Sequence, residues 1–303
     1  MNKYFYLPGY YMRSIAMQIF LNYMDSHPEY FISDRKVIGA YDLPEGLIWN
    51  GGRNTSKDNS KVNYNDTIVK HIIEYWQARS NFILLHTCTN LLINTEERLH
   101  DKLCNNFIQK YYRPQDKIII ANPTLKQYLK ETYPQISFVN STCLGITDID
   151  KVNDISKNEH YVLNYNKNGD NEYLNKLKYP ENIEILCGEH CILNCPNRNN
   201  HYKEISEAQL NLKSFDPKES ECPFFSVHDK KLSNLPMLVQ QSVHRVPNYR
   251  IEELSKMGFQ YFKISGRSWD PIMWIQLPIY YLVRPEYQKL VYKNLYNLFI
   301  TLF

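Results

Sequence analysis

Cysteines stand at equal intervals in the stretch CGEHCILNCPNRNNHY, which begins at Cys187. Three residues separate Cys187 from Cys191 and Cys191 from Cys195, and Cys222 follows later in ECPFF. The chain holds seven cysteines, an odd number that does not suit a disulfide framework in a chain of this size. Thiolates that cluster are preferred ligands of iron–sulfur clusters and of zinc. The spacing therefore favours metal binding by these four thiols over the alternative, in which they are small buried hydrophobic residues.

The intervals between these cysteines favour an iron–sulfur cluster over zinc. Structural zinc sites often use C-x2-C pairs around one ion, whereas both intervals here hold three residues. The C-x3-C-x2-C pattern of radical-SAM enzymes is missed because Asn194 occupies its third cysteine position. His190 and His201 could replace a ligand, although a surface or supporting role is commoner for such histidines. We predict a [4Fe–4S] cluster, with zinc as the alternative.

Alternating apolar segments predict the elements that position this loop. Short β-branched runs alternate with stretches whose apolar residues recur every three or four positions, which is typical of a parallel sheet covered by helices. Eight such strands favour an α/β fold of the (β/α)8 TIM type, with a doubly wound open sheet as the alternative. The predicted strands are residues 36–41, 81–86, 117–121, 136–141, 161–165, 182–187, 239–243 and 261–265. The predicted helices include residues 66–78, 96–111, 124–132 and 249–257.

Polar residues that follow the predicted strands would meet at one end of such a barrel. Arg53 follows the first predicted strand in IWNGGR, and Arg267 follows the last in KISGR. A guanidinium suits a carboxylate or phosphate, although Arg53 could equally be a solvated turn residue. His86, Cys88 and Asn90 alternate in HTCTN and are expected to face inward. We predict a small anionic or nucleobase-like substrate, with Arg53 and Arg267 binding its charge and Asn90 orienting it.

Composition predicts one globular domain over residues 1–303, with the cysteine-bearing segment as an insertion at about 187–235 and a C-terminal helical extension. Hydrophobic residues make up 43% and charged residues 22%, and the formal charge of +3 is too small to indicate nucleic-acid binding. The opening residues lack signal-peptide features, and no apolar run approaches the roughly 18 residues of a membrane helix. We expect a cytoplasmic protein without membrane segments.

The string MGFQYFKISGRSWD at residues 257–270 resembles the KIEGR segment that closes the barrel in the collagenase-like U-32 peptidase family. The pattern CILNCPNRNNHY, together with YDLPEGLIWNGGR, HTCTNLL and FVNST, is similar to a branch of that superfamily found in anaerobic bacteria. The resemblance implies a barrel with a [4Fe–4S] cluster on Cys191, Cys195 and Cys222, and it matches Arg267 to the KIEGR arginine. Ser265 stands where the family has glutamate, and Cys187 is an additional cysteine.

The better-known members of that superfamily are oxygen-independent hydroxylases of transfer RNA, ribosomal RNA or a quinone precursor. The resemblance therefore implies redox modification of the substrate. The alternatives are a zinc-dependent lyase or hydrolase and a non-catalytic partner protein whose loop is stabilised by its metal. The resemblance also allows a partner subunit. The chain has neither HExxH nor GxSxG, so peptidase activity is not predicted.

Overall fold

The computed structural model describes residues 2–52, 64–189, 191, 193–211, 246–267 and 271–302. Within these residues, eight parallel strands close into a barrel in chain order, and the last strand pairs with the first. The predicted (β/α)8 barrel is therefore confirmed, and the open-sheet alternative is wrong because the ring of strands has no free edge. The strands are β1 (Lys3–Pro8), β2 (Arg35–Asp42), β3 (Ile83–Cys88), β4 (Lys117–Ile120), β5 (Phe138–Asn140), β6 (His160–Val162), β7 (Ile183–Cys187) and β8 (Tyr261–Ile264).

Helices follow the strands and pack on the outside of the barrel, where a large apolar cluster fills the space between the two layers. They are α1 (Ser14–Ser26), α2 (Asp66–Ala78), α3 (Glu96–Leu99), α4 (Lys102–Tyr111), α5 (Pro123–Thr132), α6 (Ile149–Asn158), α7 (Asn171–Leu174), α8 (Arg198–Leu210), α9 (Asn248–Lys256), α10 (Pro271–Trp274), α11 (Gln276–Leu282) and α12 (Gln288–Leu302).

The first strand of the barrel differs from the prediction. β1 pairs in parallel with β2 and with β8, so the strand that closes the ring comes from the opening residues of the chain. The strand predicted at residues 239–243 lies outside the described residues. Its expected place between β7 and β8 is already filled, because Glu184 pairs with Tyr261 and Cys187 with Ile264.

The predicted helix ranges agree closely with the structure, except that one predicted helix is interrupted. Residues 66–78 are helical as predicted, and the Asn65 side chain caps α2 by accepting from Ile68 N at 3.1 Å. The helix predicted over residues 96–111 is instead two helices. Asp101 separates them, because its carboxylate accepts from Cys104 N at 2.8 Å and starts α4 anew.

The C-terminal extension is confirmed and packs on the molecule. α12 buries Val291, Leu295 and Phe299 at four-residue intervals, and Asn294 Nδ2 donates to Tyr23 Oη of α1 at 2.9 Å. Within the described part of the chain, no helix has both the length and the hydropathy needed to cross a bilayer.

A second, smaller apolar cluster fills the inside of the barrel. Inward and outward positions alternate along each strand, so this cluster identifies the inner face. Its members are Tyr6, Tyr41, Leu85, Ile119, Val139, Val162, Tyr165 and Leu186.

Candidate functional site

A cavity of about 90 Å³ lies at the carboxyl ends of the strands, above the inner cluster. Its wall includes Thr87 from the end of β3, Ser141 and Cys143 from the loop after β5, and Arg198 and Lys263 from the opposite side. In parallel barrels this end carries the functional loops. The cavity is therefore the candidate site.

Arg267 lines the cavity and joins the loop that follows β2 to the end of β3. Its Nη1 donates to Thr87 Oγ1 at 2.6 Å and to Asn50 Oδ1 at 3.3 Å, and its Nη2 donates to the Gly51 carbonyl at 2.8 Å. Nη1 also lies 3.6 Å from Asp42 Oδ1. The guanidinium thus shapes the cavity while placing its positive charge there.

Lys263 extends from β8 into the same cavity. Its Nζ lies 4.2 Å from the centroid of the Tyr41 ring, and the Tyr41 hydroxyl donates to the Ile264 carbonyl at 2.8 Å, which fixes that ring. Burial lowers the pKa of Lys263 to about 8; nearby Glu184 opposes the shift and Arg267 adds to it. The amine is therefore far less basic than an exposed lysine.

Arg198 opens α8 and supplies a third cation. Its guanidinium lies 4.2 Å from the Tyr165 ring and 4.9 Å from the Tyr202 ring, and its Nη2 donates to Glu189 Oε2 at 2.9 Å. Its buried Nη1 has no hydrogen-bond partner among the described residues. Glu189 is also the only carboxylate among the described residues of the wall, so the cavity has excess positive charge.

A charged layer lies one inward-facing position below Lys263. Leu186 pairs with Lys263 across β7 and β8, and Glu184 pairs one step lower with Tyr261. Burial raises the pKa of Glu184 although Lys263 and Lys117 oppose the shift. His160 Nδ1 lies 3.9 Å from Glu184 Oε1, and burial lowers the pKa of this histidine to about 4.

The cysteine loop leaves β7 through a glycine turn. Gly188 has φ +76°, and a Cβ there would lie 2.5 Å from Leu277 Cδ1. The turn separates Cys187, which is buried in the outer cluster, from Cys191, which packs against the inner one. Cys195 is partly exposed, and its backbone N–H binds the Tyr165 hydroxyl. The structure therefore places Cys191 beside the cavity and Cys187 away from it.

The predicted metal ligands are only partly described. Cys222 and His190 lie outside the described residues, and His201 is buried on α8. Among the residues that are described, no three His, Cys, Asp or Glu side chains converge closely enough to hold a metal ion. The set of Cys191, Cys195 and Cys222 stays a prediction.

Of the predicted substrate-binding residues Arg53 and Asn90, the structure describes only Asn90. Arg53 lies outside the described residues. Asn90 is buried and bound to backbone: its Nδ2 donates to the Ile48 and Ser206 carbonyls at 2.9 and 3.1 Å, and its Oδ1 accepts from Leu92 N at 2.9 Å. Its amide therefore joins the loops after β2 and β3 to α8.

The expected inward direction of His86 and Cys88 is wrong. Both are buried on the outer side of β3, where His86 Nδ1 bonds Tyr10 Oη at 2.7 Å and Cys88 joins the outer cluster. The inward positions are Leu85 and Thr87. The alternation was predicted correctly, but its phase was reversed.

Sequence reasoning missed Lys263, Arg198 and Cys143 as wall residues. Lys263 stands two positions before Ser265 in KISGR, so the alternation along β8 could have placed both on the inner face. Cys143 follows β5 in NSTC, at the strand end where the loop enters the cavity. Arg198 lies within the cysteine motif, where only the cysteines and histidines were expected to bind a ligand.

The fold and the position of the cavity define a closed parallel barrel with a cationic site at the carboxyl ends of its strands. Comparisons with models of protein families, with curated proteins and with solved structures each found no match to this chain.

Proposed function

We propose that this protein is a barrel enzyme that binds a small anionic substrate in the cationic cavity and modifies it by redox chemistry at an adjacent iron–sulfur cluster. The proposal rests on the observation that one cavity is lined by Arg198, Lys263 and Arg267, and that its described wall contains a single carboxylate. Two of these cations are held in place by hydrogen bonds, so the charge does not need to be organised when an anion binds. The predicted U-32-like relationship agrees with this assignment and remains part of the proposal.

Cys191 supports placing the cluster beside this cavity. It interacts electrostatically with Arg198 and Tyr202, which both line the wall, and a cation beside a thiol favours the thiolate that binds metal. We propose that Cys191, Cys195 and Cys222 hold the cluster, which would supply an electron-transfer or Lewis-acid centre. Arg198 and Arg267 would orient the anion, and Tyr202 would cover it from the side of α8.

Anaerobic reconstitution with iron and sulfide tests the cluster. We expect a brown protein that contains iron and acid-labile sulfide, and we expect Cys191→Ser to lower both contents. Cys104→Ser is the matched control, because Cys104 is buried on α4 and belongs to the outer cluster. A folded wild type with no iron or sulfide would remove the cluster from the proposal, and zinc without sulfide would replace it by the zinc alternative.

Binding of small anions tests the cavity independently of the cluster. Titration calorimetry with pyruvate and with inorganic phosphate should detect binding to the wild type. Arg198→Gln should weaken it by about tenfold, because a charge-assisted hydrogen bond contributes roughly 1.5–3 kcal/mol. Arg250→Gln is the control, since Arg250 binds the Asn168 carbonyl and Asn171 outside the cavity. Equal affinities in both variants would exclude the cavity as the anion site.

A further inference from the structure

We propose that Lys263 is a nucleophile that condenses with the carbonyl group of a small oxo acid to form an imine within the cavity. The inference deepens the proposed function by naming the substrate class. It rests on the anion-binding cavity and does not depend on the iron–sulfur cluster.

The position of the amine supports this role. Lys263 is 6% exposed and lines the cavity, yet among the described residues its Nζ makes no hydrogen bond and no ion pair. Its close contact is the face of the Tyr41 ring at 4.2 Å. A structural lysine at this depth would normally be paired with a carboxylate. The amine is therefore left available to a ligand.

The groups that face the Lys263 amine leave a sizeable fraction of the molecules with this amine neutral. Glu184 from β7 and Cys143 from the loop after β5 raise its pKa, while burial and Arg267 lower it, and the balance is a pKa of about 8. At pH 7.5 roughly a quarter of such amines are neutral, against on the order of one in a thousand for an ordinary lysine. Desolvation and a neighbouring cation are the two means by which proteins activate lysine as a nucleophile.

Arg198 supplies the feature that selects an acid. Its buried Nη1 lacks a partner within the described structure, and its carboxylate partner Glu189 is bound through the other nitrogen. A substrate carboxylate would satisfy that donor, since a guanidinium binds carboxylate well. Lys263 and Arg198 line the same cavity. A substrate that presents a carbonyl group to the amine and a carboxylate to the guanidinium is an oxo acid.

The reaction balances without any further reactant. The lone pair of neutral Nζ forms a bond to the carbonyl carbon, and the carbonyl oxygen takes up the proton that the nitrogen loses, which gives a carbinolamine. That oxygen then leaves as water together with the remaining proton of the nitrogen, which gives a neutral imine, and a proton from the solvent converts the imine into an iminium ion. The positive nitrogen then withdraws electrons from the neighbouring carbon, and hydrolysis reverses each step.

Reductive trapping tests the inference. Protein is incubated with glyoxylate and cyanoborohydride, and intact mass and peptide mapping follow the carboxymethyl group that reduction leaves on lysine. We expect Lys263 to be labelled at least about tenfold faster than other lysines near pH 7.5, because its neutral fraction is much larger. Lys263→Met should abolish the fast labelling, while Lys117→Met, which removes another inward-facing lysine, should retain it.

The labelling rate should rise through about pH 8, where the Lys263 amine loses its proton. It should fall in Arg198→Gln, because the carboxylate of glyoxylate loses its partner. Uniform labelling of surface lysines, or fast labelling that persists in Lys263→Met, would overturn the inference. Pyruvate binding by calorimetry without preferential labelling of Lys263 would reject the nucleophile yet leave the anion site intact. Fast labelling of Lys263 in a protein with no measurable pyruvate or phosphate binding would support the nucleophile and reject the anion site.

Discussion

At the residue scale, the unusual feature is a carboxyl group placed inside the barrel without hydrogen-bond partners. Within the described structure neither oxygen of Glu184 accepts a hydrogen bond, and the residue is 0% exposed. Burying an ionised carboxylate is costly, and the charges of Lys263 and Lys117 offset only part of that cost. Glu184 therefore favours its protonated form more than an exposed glutamate does.

Replacing Glu184 by glutamine should change how stability depends on pH. Because the folded pKa is raised above the ordinary 4.5, the wild type loses stability as pH rises through the folded pKa, and glutamine has no proton to lose. The free energy of unfolding of Glu184→Gln should therefore improve relative to wild type between about pH 5 and about pH 8. Urea unfolding at both values measures the difference. A constant difference would show that Glu184 does not titrate abnormally.

Arg267 should not be replaceable by lysine, although both carry one positive charge. Lysine cannot make the three hydrogen bonds to Thr87, Asn50 and Gly51 that fix the guanidinium, so its charge would not be held 3.6 Å from Asp42 Oδ1. We expect Arg267→Lys to lower the free energy of unfolding by about 2–4 kcal/mol. Arg79→Lys, at the ion pair with the exposed Asp25, should cost less than about 0.5 kcal/mol. Similar losses in urea unfolding would contradict this reading of Arg267.

At the element scale, the sequence predicted those helix bounds that depend on interactions between residues close together in the chain. The range of α2 was predictable because its apolar spacing and its Asn65 cap act within a few residues. The break before α4 was missed because periodicity continues across it, while Asp101 stops the helix by capping. The phase of β3 was not predictable, because alternation fixes which residues share a face and barrel closure decides which face is inside.

Asn122 should matter more than an ordinary helix cap. Its Oδ1 accepts from Thr124 N at 2.9 Å and Leu125 N at 3.1 Å, and its Nδ2 donates to the Leu91 carbonyl at 2.9 Å. Asn122→Ala should cost about 2–3 kcal/mol, because a cap and a buried inter-loop bond are both lost. Asn65→Ala removes one exposed cap and should cost about 1 kcal/mol or less. Thermal and urea unfolding of the two variants provide the comparison.

At the scale of the whole molecule, closure depends on contacts between the opening and late parts of the chain. Sequence predicted seven of the eight barrel strands approximately but not β1, whose run KYFYLP lacks a polar alternation and ends at proline. Its pairing with β8 joins residues that are far apart in the chain, which no local window reveals. The cavity residues from β3, β5 and β8 are brought together only by that closure.

Hydrogen exchange should show that β1 opens only when the whole barrel unfolds. The backbone amides of Phe5 and Leu85 should have similar opening free energies, because freeing β1 breaks the ring on two sides. Phe5→Ala should lower the free energy of unfolding by about 3–5 kcal/mol, since the side chain is 0% exposed and stacks on Phe262 at 5.3 Å. Exchange at β1 that is much faster than at β3 would contradict a cooperative barrel.

Lys263 lies closer to the cavity than Glu184, which is one inward-facing layer deeper in the barrel. When Glu184 is ionised, a negative charge lies deeper in the barrel than the positive amine, so the pair forms an electric dipole whose positive end faces the cavity. Such a dipole attracts an anion over a distance, before any hydrogen bond can form. The negative end nevertheless weakens the field of the amine, so the cavity attracts an anion most strongly while Glu184 is protonated and Lys263 is charged. The association rate of a small anion should therefore decrease as pH rises and each of these two groups loses its proton.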